Sequence, residues 1–251
     1  MHRLSLVLPL FLASLGAVSG FEPEDLSILA VENETGYDII ALYLYPAGGD
    51  YSGPDLLTGG RFIARGDEES FFLYFEEGSA EKSFDLLAVD TEGYQYRLAG
   101  LRSSADSPLS AALTVRHHIP FPPPLETVDI EVRNSTVPIF FLFMRPPESG
   151  WWGASVLGPE EMLMSSRTLT LSVPSLGAAV PYELLAVDED FDEYSIDVTV
   201  EPAGAAKQPD FEGMTAPAVT TGDQPAKDAS RLPEKGVPEI SIQLDDLKER
   251  Q

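Results

Sequence analysis

The heptapeptide FDLLAVD (residues 84–90) returns as YELLAVD (residues 182–188). In the first occurrence Phe84, Leu86 and Ala88 point to one side of an extended chain and Leu87 and Val89 to the other. Both faces are therefore apolar, which places the strand inside a sandwich of two sheets. Asp90 then opens the run Asp-Thr-Glu-Gly, suited to a type I turn, with Gly93 free to take the positive φ that reverses a hairpin. Tyr94, Tyr96 and Leu98 form the returning strand; in the second occurrence Tyr194, Ile196 and Val198 do so after what reads as a longer acidic turn. A core hairpin is made twice.

Working outward, the repeat extends well beyond the hairpin. VENETGYDIIALYLYP (residues 31–46) aligns with VRNSTVPIFFLFMRP (132–146) through one gap, and SGPDLL (52–57) with WGASVL (152–157). Equivalent positions lie 101 apart at Asn33 and Asn134, 100 apart at Pro46 and Pro146, and 98 apart at Asp90 and Asp188. Ordered matches at a nearly constant offset indicate a duplicated domain. Within each copy, residues 27–32 and 129–133 alternate apolar and polar, while 39–45 and 139–144 are dense in β-branched and aromatic residues, the pattern of central strands. No window carries apolar residues at helical spacing over ten or more positions.

The expected fold is all-β: two tandem antiparallel β-sandwich domains with a disordered C-terminal tail. Residues 1–20 read as a signal peptide, with one arginine, an apolar stretch and small residues at Val18 and Gly20. Domain 1 follows at 21–118, a Pro-rich linker at 119–125, where consecutive prolines favour an extended spacer, domain 2 at 126–200, and the tail at 201–251. Within the tail Ile240, Ile242 and Leu244 alternate like an edge strand that could add to a sheet here or in a partner; a frayed end is the plainer expectation.

Composition narrows the function classes. With 41 acidic and 16 basic residues the formal charge is −25, which opposes nucleic acid and anionic lipid; a basic partner fits better than either, although acidity that serves solubility alone is the plainer reading. Cysteine is absent, so neither disulfides nor thiolate metal sites are available. A periplasmic or secreted protein follows, without membrane insertion once the signal is removed.

Candidate site residues are few. Trp151 and Trp152, the two tryptophans, follow a Pro-Pro-Glu-Ser-Gly loop and are the candidate ligand-binding pair, since aromatic faces on loops stack on sugars or anchor proteins; the first copy has Tyr51 and Ser52 there, and a ring that caps the sandwich edge is the plainer reading. Asp188, Asp190 and Asp192 alternate as carboxylates do at the start of a calcium loop, although Glu193 and Thr199 stand where an EF-hand needs Gly and Glu, and a solvated turn is the plainer reading. Asn33 and Asn134 begin glycosylation acceptor sequences, but Asn and Thr also end strands by bonding to local backbone. No nucleophile elbow, phosphate loop or zinc-protease motif occurs, and His117 and His118 are adjacent, so on a strand they would point to opposite faces. No catalytic residue and no cofactor are expected.

The segments N-x-T, I-x-x-L-Y, P, G-x-x-L-L and Y/F-D-L-x-A-V-D together resemble an uncharacterised family of exported bacterial β-sandwich repeat proteins, known from spirochaetes and other Gram-negative bacteria. The resemblance covers residues 26–101 and 128–200, with the family's Trp-Gly pair kept at Trp152-Gly153 and replaced by Ser52-Gly53 in the first copy. It implies an extracytoplasmic β fold and supplies no reaction. The expectation is a non-catalytic binding or structural module of the cell envelope, contacting an envelope or extracellular protein through loops and tail. The alternatives are a carbohydrate- or calcium-binding module using Trp151, Trp152 or the acidic turn 188–193, and a carboxylate-dependent hydrolase.

Overall fold

The computed structural model describes residues 21, 23–49, 53–75, 82–103, 108–135, 137–147, 149, 152–202, 240–243 and 248–249; the signal peptide expected at 1–20 and residues 203–239 lie outside them. Among the described residues strand follows strand, with three 3-10 turns and no α-helix. The first copy comprises β1 (Leu26–Glu34), β2 (Ile39–Pro46), β3 (Glu68–Tyr74), β4 (Lys82–Asp90), β5 (Gln95–Ser103) and β6 (Leu109–Thr114). The second comprises β7 (Thr127–Arg133), β8 (Ile139–Arg145), β9 (Gly153–Ala154), β10 (Thr168–Pro174), β11 (Val180–Asp188) and β12 (Glu193–Val200), joined by β13 (Ile240–Gln243) and β14 (Lys248–Glu249).

Each copy is a sandwich. In the first, β6-β1-β3 packs on β2-β4-β5; in the second, β13-β7-β10 packs on β14-β12-β11-β8. FDLLAVD and YELLAVD fall on β4 and β11, each the middle strand between two antiparallel neighbours, and both faces are apolar because one row faces the core while the other, Leu87 and Val89 or Leu185 and Val187, lies under crossing segments. The sandwiches are not purely antiparallel: β6 runs parallel to β1, and β13 runs parallel to β7. The strand arriving from the opposite sheet enters alongside the first strand of its copy, and its direction is set by that crossover.

The hairpin turns are the same length in both copies. Asp90 accepts from the amide of Tyr94, four residues on, and Asp188 from that of Asp192 in the same way, so the second turn is not longer. Gly93 has φ 80°, as the hairpin needs; at the equivalent position Phe191 takes φ 64°. A β-carbon makes that conformation costly, on the order of 1 kcal/mol, unless the side chain is held elsewhere. The Phe191 ring is stacked on Phe21, with centroids 6.1 Å apart.

The two copies share one core. Leu29, Val31 and Phe71 of the first belong to the same continuous buried cluster as Ile130, Val132 and Leu171 of the second. Strand β9 leaves its own sandwich to extend the other copy's sheet, pairing Ala154 with Leu73 and Gly153 with Tyr74. The backbone contacts are reciprocal: Ser155 donates to Phe72 O and Asp55 to Ser172 O, both at 2.8 Å, each partner 100 residues from its counterpart. Contacts of i with j and of j with i are the mark of a two-fold interface, here within one chain.

The outer sheet faces are covered by crossing segments. Phe21, ahead of β1, is buried against Tyr74 and Phe143 and lies 5.3 Å from Phe141, on the second copy's sheet. Ile119 and Leu125, ahead of β7, pack on Tyr43, Tyr45 and Leu87 of the first copy. The Pro-rich stretch is also bonded to β5, with Ile119 N donating to Gln95 O at 2.8 Å and Gln95 Nε2 donating to Pro123 O at 3.2 Å. Consecutive prolines lack the amides to join a ladder as a full strand, so they lie along the sheet with the few bonds available to them.

Candidate binding surface

Residues that occupy the same position in both copies hold the strand ends together. The carboxylate of Asp90 accepts from the amides of Glu92 and Tyr94 at 2.9 Å and from the Tyr96 hydroxyl at 2.8 Å. Burial, and then the bond to Asp90, push the Tyr96 hydroxyl's pKa up. Asp188 repeats this with the amides of Asp190 and Asp192 and the hydroxyl of Tyr194, all at 3.0 Å. Asn33 donates both amide hydrogens, to Tyr37 O and Ile63 O; Asn134 donates to Val137 O and Leu163 O. Both asparagines are fully buried, so they serve as clamps rather than glycan acceptors.

The sequence-derived site residues divide as follows. Trp151 lies outside the described residues. Trp152 is 2 % exposed within the cluster of Phe143, Tyr74 and Phe21, and the Arg145 guanidinium sits 3.7 Å from its ring centroid. Arg145 is in turn paired with Glu183 at 3.0 Å. Here the indole is a packing element with one face already taken by a cation, which leaves no free face for a sugar. Asp188 spends both oxygens on the turn, and Asp190 and Asp192 are exposed beside it. Among the described residues no three His, Asp or Glu side chains converge as a metal site.

A group of exposed aromatic residues lies elsewhere. Tyr37 and Tyr94, 44 % and 46 % exposed, stand with ring centroids 6.0 Å apart, and His118 meets Tyr94 edge-on at 5.4 Å. The clamps described above position all three. Tyr37 O accepts from Asn33 and Thr35, Tyr94 N is bonded to Asp90, and His118 bridges Tyr96 across the edge of β5. Exposed Glu34 and Glu92 adjoin them in the chain, and Asp38 holds the Arg65 amide at 2.9 Å. The second copy places Val137, Asp192 and Glu249 at the three equivalent positions, as the matching hydrogen bonds and strand pairs show. The fold therefore does not need aromatic rings here. The trio escapes a sequence reading built on what the copies share, because its signal is an exposed position where they differ.

At the two-fold relation between the copies, Arg61, Glu69, Gly158 and Glu161 line an open cleft of about 370 Å³. Arg61 Nη2 donates to Leu56 O and to Val156 O, the latter at 2.8 Å, and Nε lies 3.3 Å from Glu161, its own equivalent in the other copy. This arginine is committed to joining the copies.

No family model matches the chain, and no curated protein does. One solved structure with some likeness is described as a "putative adhesin" from Bacteroides ovatus; it is 10 % identical with a TM-score of 0.18, over 74 % of this chain and 87 % of that one. Among the described residues no helix is long and apolar enough to cross a membrane.

Proposed function

We propose that the chain is an extracytoplasmic binding module without a reaction of its own, which engages a basic protein partner through the aromatic end of its first copy. The observation that carries this reading is the trio Tyr37, Tyr94 and His118, aromatic and exposed where the second copy has Val137, Asp192 and Glu249. Exposed rings on a rigid frame supply contact area at little entropic cost, which is how aromatic residues anchor interfaces. A formal charge of −25 draws a cationic partner over distances of about a Debye length, roughly 8 Å at physiological salt. A second reading, carbohydrate stacking on the same rings, is favoured by the exposure of Tyr37 and Tyr94.

The test compares the wild type with a Tyr37→Ser, Tyr94→Ser double variant of equal melting temperature. Crosslinking in the native envelope should yield a basic protein with the wild type, lost in the variant and weakened by added salt. Glycan-array signal lost in the same variant would move the assignment to carbohydrate. Identical crosslinked products from both proteins would refute this surface.

A further inference from the structure

The last strand of the second copy comes from the far end of the chain. On the first copy, β6 pairs with β1 by setting Leu109 against Leu29 and Ala111 against Val31. On the second, β13 sets Ile240 against Ile130 and Ile242 against Val132, the equivalent register positions. Nine residues beyond Leu109, His118 bridges Tyr96; nine beyond Ile240, Glu249 pairs with Tyr194. The closing strand and its extension are the same piece of architecture in both copies.

What differs is the connection. The first copy goes from β5 to β6 through residues 104–108, and the second from β12 to β13 through 201–239. Loop-closure probability falls as roughly the three-halves power of length, so the longer connection holds its strand about twentyfold less effectively than the shorter. Effective concentrations of tethered segments are on the order of millimolar for short connections and fall as the connection lengthens. A crowded neighbour can reach that value. Without β13, the edge of β7 presents unpaired backbone donors and acceptors above a buried apolar row, the arrangement that accepts an added strand.

We propose that the edge of β7 is a strand-acceptor site that β13 of a second copy of this chain can fill, linking molecules by exchange of their final strands. The recognising chemistry is a parallel ladder along Ile130, Glu131, Val132 and Arg133, with alternating apolar residues on the incoming strand. The occupant is a second copy because its residues 240–243 already match this edge in register and its connection is long enough to release them.

The chain has no cysteine, which makes the test direct. Glu131 faces Ser241 in the ladder. Full-length Glu131→Cys and Ser241→Cys chains are mixed at concentrations from ten micromolar to millimolar and mildly oxidised. The expected product is a covalent heterodimer whose yield rises with concentration and exceeds that of either chain alone by at least tenfold. In parallel, the double variant at low concentration should close within one molecule. Failure of that internal closure would overturn the acceptor site, and internal closure with no heterodimer at millimolar concentration would overturn exchange between copies.

Discussion

Replacing Arg61 by methionine keeps the aliphatic stem and removes the guanidinium that joins the two copies. The cost follows from its partners. Leu56 O loses the donor it has in Nη2, while Val156 O keeps a bond from the Thr58 hydroxyl at 3.2 Å. Depriving one buried acceptor costs about 1–3 kcal/mol, and a carbonyl that retains a donor costs less. The ion pairs to Glu69 and Glu161, at 3.4 and 3.3 Å, involve carboxylates open to solvent and contribute at most about 1 kcal/mol each. The sum is about 2–4 kcal/mol, to be read as a lower urea midpoint with one transition and unchanged slope, since the copies share a core. Gly158→Ala should cost a similar amount for a linked reason, because the new methyl would lie 2.6 Å from Arg61 Nη1. With the guanidinium already gone that clash disappears, so the double variant should be little worse than Arg61→Met alone. Strictly additive losses in this double-mutant cycle, or a cost below about 0.5 kcal/mol for Arg61→Met, would refute the clamp.

Trp152→Ala should destabilise by about 3–5 kcal/mol in urea titration, as expected for emptying a buried aromatic site, and a loss under 1 kcal/mol would show that the ring is not core. Burial raises the pKa of Asp55 against the amide bonds from Leu42 and Leu57, so its ionisation costs stability as pH rises; Asp55→Asn should raise the melting temperature at pH 7 and lose that gain in acid. Asp85 behaves oppositely: burial alone would raise it, but the Arg97 side chain and the Gly100 amide hold it below the ordinary carboxylate value, so Asp85→Asn should destabilise at pH 7 and progressively less as pH falls through that lowered pKa. Phe191→Gly should relieve about 1 kcal/mol of backbone strain yet leave Phe21 without its stacked ring, so hydrogen exchange near residue 21 should quicken even if the melting temperature holds.

The elements that repeat were legible in the sequence, because period and hairpin chemistry are local. The aspartate ending each heptapeptide caps its turn, and Gly93 takes its positive φ for the reason read from the residues. The connection between the copies was not legible. Asp55 meets Ser172 and Ser155 meets Phe72 across more than eighty residues, and a short segment such as Gly153–Ala154 carries no pattern that tells its own sheet from its twin's. Trp152 read as a loop aromatic because its cover, Phe21 from ahead of β1 and Tyr74 from β3, comes from the other copy. The Pro-rich stretch read as a spacer because the apolar face beneath Ile119 and Leu125 becomes visible only once the sheet is formed.

Arginine in one copy faces glutamate at the same position of the other. Two free-standing molecules of the first repeat, meeting in this arrangement, would bring arginine to arginine; two of the second would bring glutamate to glutamate. Each repeat is thus a lock for its sibling and a poor mate for itself, so either half alone would meet its own kind with like charges at this seam.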